Sequence, residues 1–103
     1  MAEHEKRYSV VADWDEYFAE LERCPESQQG RVTDLVANIL TTNPKVTHPP
    51  LLKKLHGVHS HLWQFECGGS RRLLYSVDDR TMTVRIEYFG PHPPWDKPNM
   101  VGR

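Results

Sequence analysis

Four residues in the second half of the chain carry groups able to act on an oxyanion: Glu66, Arg72, Arg85 and His92. A carboxylate can take a proton, an imidazole with an ordinary pKa near ~6.5 can give one, and a guanidinium fork grips a phosphate through two parallel bonds. Glu66, Arg72 and Arg85 occupy matching alternate positions in runs that read as strands, so an extended backbone would turn them to one side. The plain alternative is that these residues, with Glu87, are cross-strand ion pairs on a solvated sheet, each worth about 0.2–1 kcal/mol. Lys53 and Lys54, with Arg71 and Arg72, form a small basic cluster that either steers an anion toward the sheet or is simply solvated.

His48, His56, His59 and His61 raise a metal reading, because His59-x-His61 on an extended segment would point both rings the same way. Neither Cys24 nor Cys67 sits in a Cys-x-x-Cys pair, and no nearby carboxylate completes a ligand set, so no metal and no cofactor is expected. Cys67 lies on the apolar side of its run and reads as packing rather than as a nucleophile.

The elements that must hold these residues follow from periodicity. Lys6–Ala12 favours a first strand through Tyr8, Val10 and Val11. Asp13, three residues before Glu16, opens a helix with a capping-box start, and Trp14, Tyr17, Phe18 and Leu21 make its apolar stripe; all three aromatics are expected in the core. A second stripe of Val32, Leu35, Val36, Ile39 and Leu40 ends at Asn43–Pro44. Residues 43–50 hold three prolines and read as a linker. The period then changes to two. His61–Cys67, Arg71–Val77 and Met82–Phe89 are strand-like runs separated by connections so short that only antiparallel neighbours can form.

Alternation sorts these three runs into two faces. Trp63, Phe65, Cys67, Leu73, Tyr75, Val77, Met82, Val84, Ile86 and Tyr88 fall on one, which must meet the helices. Gln64, Glu66, Arg72, Ser76, Thr83, Arg85 and Glu87 fall on the other, with Leu62, Leu74 and Phe89 as apolar exceptions. A slip of one residue would bury the charged set, so the assignment is strongly constrained. The outcome is an α+β arrangement of order β-α-α-β-β-β, a curved antiparallel sheet with two N-terminal helices on one face.

The size, 103 residues, fits one domain over 1–103 with a loose tail from about residue 96. Thirteen Lys+Arg against fourteen Asp+Glu argue against binding nucleic acid through bulk charge, although a local patch would suffice for a specific contact. Two separated cysteines are no disulfide framework and read as reduced thiols. No apolar run approaches the ~20 residues of a membrane span, and no export signal is evident. The expected compartment is the cytoplasm.

This order of elements, with Lys54–Leu55–His56–Gly57, the strand Arg72–Leu73–Leu74–Tyr75–Ser76–Val77–Asp78, and Gly90–Pro91–His92 after the last strand, resembles the RelE/ParE superfamily of bacterial toxins. There a leucine-glycine element precedes a hairpin of the form Tyr-Arg-apolar-apolar-Tyr-x-apolar-Asp, and a glycine followed by His or Arg closes the final strand. The resemblance implies a RelE-like fold and a type II toxin, usually an endoribonuclease that cuts mRNA, often on the ribosome, and that a cognate antitoxin neutralises. By the same resemblance Arg72 binds the scissile phosphate, His92 stands where ribonuclease members carry Arg or His, and Trp95 lies near a catalytic or stacking tyrosine. Glu66 would then be the base, His92 the acid, and Arg72 with Arg85 the phosphate clamp. Lys53, Lys54, Arg71 and Trp95 would contact RNA, and cleavage by the RNA's own 2′-hydroxyl requires no metal. A second branch of the superfamily inhibits DNA gyrase. A non-enzymatic inhibitor, or a homologue that keeps only partner binding, is therefore the rival reading. Oligomeric state is left open.

Overall fold

The computed structural model describes residues 7–47 and 52–91. Strand β1 (Ser9–Val11) leads into helix α1 (Trp14–Arg23), whose N-cap is Asp13; its carboxylate accepts from the Glu16 N–H at 3.2 Å. That bond satisfies one of the orphan donors of the first turn. Cys24–Pro25 breaks the helix, and α2 (Glu26–Asp34) follows at once. It continues through a π-turn (Leu35–Ile39) into a last helical turn (Leu40–Thr42). The Leu40 N–H bonds back to the Leu35 carbonyl, five residues away, and both side chains are fully buried. The widened turn re-phases the helix so that its two halves aim leucines at one core.

Five strands form one sheet in the order β1-β5-β4-β3-β2, with β2 Leu52–Lys54, β3 Trp63–Gly68, β4 Arg71–Asp78 and β5 Thr83–Pro91. The antiparallel expectation holds for β2 through β5, but β1 runs parallel to β5. A parallel neighbour requires a crossover, and here the connection carries both helices over one face. β1 is also shorter than the run Lys6–Ala12 suggested, and β2, an edge strand of three residues, stands where the sequence showed only a short apolar stretch. The β3–β4 hairpin turns at Gly69, whose φ of 57° suits a residue without a Cβ.

Under the helices the core is as alternation required: Trp63, Phe65, Cys67, Leu73, Tyr75 and Val84 meet Tyr17, Val32, Leu35 and Leu40. The Tyr75 hydroxyl donates to the Pro44 carbonyl at 2.7 Å and so anchors the 43–47 loop from beneath. Two expectations fail. Met82 lies in the β4–β5 turn with φ 54°, not in the core strand. Tyr88 and Phe89 exchange faces, because the β4–β5 register shifts between Leu74 and Tyr75: Leu74 pairs with Tyr88, Leu73 with Phe89, and Glu87 is the extra residue. Phe89 therefore meets Tyr17, ring centroids 5.4 Å apart. Such a bulge reverses the alternation downstream of itself.

Trp14 and Phe18 are also not core residues, being 38 % and 54 % exposed. The stripe of α1 turns Tyr17 into the core and leaves Trp14 and Phe18, a step of the helix further round, at its margin. The tail expected from residue 96, together with His92, Trp95 and His48, lies outside the described residues.

Candidate functional site

The helix-free side of the sheet carries the charges in transverse rows, because residues paired across strands share a face. One row reads Lys53–Gln64–Leu74–Tyr88 across β2, β3, β4 and β5. The next reads Glu66–Arg72–Gly90, and beyond the bulge Ser76 faces Arg85. Glu66 and Arg72 are thus direct neighbours, yet no salt bridge joins them. The Arg72 guanidinium donates to the Gly69 carbonyl at 3.1 Å and to the Arg71 carbonyl at 3.2 Å, which fixes it against the hairpin turn. Among the described residues the side chains of Glu66, Lys53 and Arg85 make no hydrogen bond or ion pair. The cross-strand ion pair between Glu66 and Arg72 that would have explained these residues structurally is absent.

Arg85 lies four residues along β4's register from Arg72, a separation of about 13 Å at ~3.3 Å per residue. That is the spacing of their backbones; the two side chains share a face, with the Arg72 guanidinium turned toward the Gly69 carbonyl. Arg85 instead borders a cavity of about 440 Å³ with Ser76, Asp78, Thr81 and Thr83, a hydroxyl-rich recess at the other end of the face. Ser76 Oγ donates to the Glu87 carboxylate at 2.7 Å.

The remaining basic residues are divided. Lys53 faces outward beside Gln64. Lys54 points to the helix side, its ammonium 5.7 Å from the Trp63 ring centroid and bonded to the Ser60 carbonyl. Arg71 is also on the helix side, where its Nε meets the Glu20 carboxylate at 2.6 Å, and Arg23 meets the same carboxylate at 3.0 Å. Glu20 is buried, so this charge is held by paired cations rather than by water. The Arg71 guanidinium is accordingly held further into its charged form, chiefly through the Glu20 bond. The geometry brings together Glu66 and Arg72, with Arg85 and Lys53 on the same face, and does not bring Lys54 and Arg71 to them. His92 follows Pro91 directly in sequence and is not described.

Tyr88 is the one outward residue that alternation misassigned. The bulge puts it across from Leu74, and its hydroxyl donates to the Pro91 carbonyl; a Cβ on Gly90, the residue opposite Arg72, would lie 3.2 Å from that hydroxyl. Nothing in the residue types announces a bulge at Glu87, so no signal short of the pairing itself reveals this phenol. Among the described residues no cluster of three or more His, Cys, Asp or Glu side chains is placed to hold a metal. No helix there is long and apolar enough to cross a membrane.

No family model and no curated protein matches the sequence. Solved structures do match it. The YoeB/ParE toxin from Agrobacterium tumefaciens superimposes with a TM-score of 0.65 at 18 % identity, over 82 % of this chain and 99 % of that one. The archaeal RelE–RelB complex from Pyrococcus horikoshii gives 0.63 at 23 % identity, over 82 % and 94 %. The RelBE2 toxin–antitoxin complex from Mycobacterium tuberculosis gives 0.59 at 22 %, over 84 % and 99 %. A two-helix layer on a five-stranded mixed sheet, matched along nearly the full length of these chains, gives this protein the fold of the RelE, YoeB and ParE toxins.

Proposed function

We propose that the protein is the toxin of a type II toxin–antitoxin pair and acts in the cytoplasm as a metal-independent mRNA endoribonuclease, with a cognate antitoxin as its protein partner. The observation that carries this reading is the Glu66–Arg72 row: a carboxylate that makes no ion pair or side-chain hydrogen bond among the described residues, directly across from a guanidinium held by two backbone carbonyls.

In the proposed reaction Glu66 removes the proton of an RNA 2′-hydroxyl, and the oxygen attacks the adjacent phosphorus. A 2′,3′-cyclic phosphate forms as the bond to the 5′-oxygen breaks, and His92 protonates the departing oxygen. Arg72 holds the non-bridging oxygens as charge grows on them. Arg85, further along the same face beside its hydroxyl-rich recess, takes a neighbouring phosphate. Lys53 extends the track toward β2. Trp95 offers a ring for base stacking, and the ribosome would present the message.

Growth arrest on expression of the chain alone, with new 5′ ends in cellular transcripts, is the expected outcome. Arg72→Ala and Glu66→Gln should each reduce cleavage by about 10²–10⁴-fold while far-ultraviolet dichroism stays unchanged. Cleavage by both variants at the parent's rate would remove the site. A second reading rests on charge: Glu66, Asp78 and Glu87 offset Lys53, Arg72 and Arg85 on this face, which suits a protein target as well as RNA. Arrest without new 5′ ends, insensitive to Glu66→Gln, identifies the chain as a non-enzymatic inhibitor.

A further inference from the structure

The outer face of α1 is both greasy and acidic. Trp14 and Phe18, one turn apart with ring centroids at 6.1 Å, are 38 % and 54 % exposed, and they lean on Tyr17 edge-on at 5.3 and 5.0 Å. Surface aromatics usually occur singly, whereas two in contact on one helix ridge form a patch. Beside them Asp15 and Glu22 are exposed on the same flank of the helix, and the helix's exposed cation, Arg23, is spent on Glu20.

From this juxtaposition we infer that the Trp14–Phe18 ridge of α1 is a docking site for a basic amphipathic helix of a protein partner. Charge complementarity chooses the occupant. A nucleic acid or an anionic membrane surface would be repelled by the carboxylates, and a second copy would set the same carboxylates against each other. A helix with aliphatic side chains at i, i+3, i+4 and i+7, flanked by Lys or Arg, satisfies both halves of the surface. The ridge is on the opposite side of the sheet from Glu66 and Arg72. Its occupancy is thus independent of the RNA chemistry proposed above.

The test titrates the full chain with a synthetic helical peptide carrying leucines in that pattern and lysines on both flanks, and with the same peptide after Lys→Glu replacement. The lysine peptide should bind, and Phe18→Ser, at an exposed position, should weaken it by about tenfold or more. Added salt should weaken it too, and the glutamate peptide should bind at least about tenfold less well. Equal binding of the two peptides, or none by the lysine peptide, overturns the inference. Sedimentation showing a dimer that Phe18→Ser disperses also overturns it, because the occupant would be a second copy. Phe18→Ser should arrest growth like the parent, and Arg72→Ala should bind the peptide like the parent, so failure of one reading is distinguishable from failure of the other.

Discussion

At the scale of single residues, burial decides which reactive groups are available. Cys67 is fully buried beneath α2, and loss of hydration pushes its thiol up to about 12, with the Cys24 thiol as a second, smaller cause. Cys24 is buried at the end of α1 and its thiol is raised for the same reason. Near pH 8 only about one Cys67 in ten thousand would be thiolate, and thiolate is the form that reacts. A water-soluble aromatic disulfide reagent should therefore titrate neither thiol in the native protein and both once urea is added. Rapid labelling without denaturant would contradict this burial. Glu66 lies one residue before Cys67 and faces the other way, and that reversal leaves its carboxylate on the helix-free side of the sheet.

At the scale of elements, the bulge in β5 matters most. Without the extra residue at Glu87, alternation would turn Phe89 outward and Tyr88 into the core; with it, Phe89 closes on Tyr17 of α1. Phe89→Ala should then cost about 2–3 kcal/mol in urea unfolding, somewhat below a fully buried phenylalanine, and Tyr88→Ala less than half of that. Equal costs, or the reverse order, would mean that the register runs straight through. Charged pairing joins elements as well. Glu20 ties α1 to the start of β4 through Arg71, and the Glu20 carboxyl carbon lies 3.8 Å from where a Gly90 Cβ would sit. The start of β4 is thereby tied to α1 close to where β5 ends.

At the scale of the whole molecule, Asp79 in the β4–β5 turn joins three distant parts of the chain. It accepts from the Tyr8 hydroxyl at 2.7 Å and from the Lys45 ammonium at 2.6 Å. These two partners, Lys45 first, hold its carboxyl below the usual aspartate range. A carboxyl depressed in the folded state adds stability above its unfolded pKa, and that contribution is lost as pH falls through the folded value. Asp79→Asn should therefore lower Tm at neutral pH, and the gap between parent and variant should close from about pH 4 downward. A gap that persists at lower pH would show that the carboxylate charge is not its source.

Much of this architecture was written in local periodicity. The capped start of α1, the α2 stripe, the three antiparallel runs and the outward positions of Glu66, Arg72 and Arg85 follow from residue types at periods of 3.6 and two, because each side chain's face is set by its neighbours along the chain. Other features depend on pairing between segments far apart. The parallel seat of β1 beside β5, the exchange of Tyr88 and Phe89, the capture of Arg71 by Glu20 and the exposure of Trp14 and Phe18 each rest on what lies across a gap of many residues. Alternation can say that Arg72 and Arg85 share a face, but only the strand register says that about 13 Å separates them. The chain alone determined the faces of its regular runs; the tertiary structure decided which residues are covered, where a bulge reverses a face and which side chains meet, since a contact depends on two segments and a period describes one.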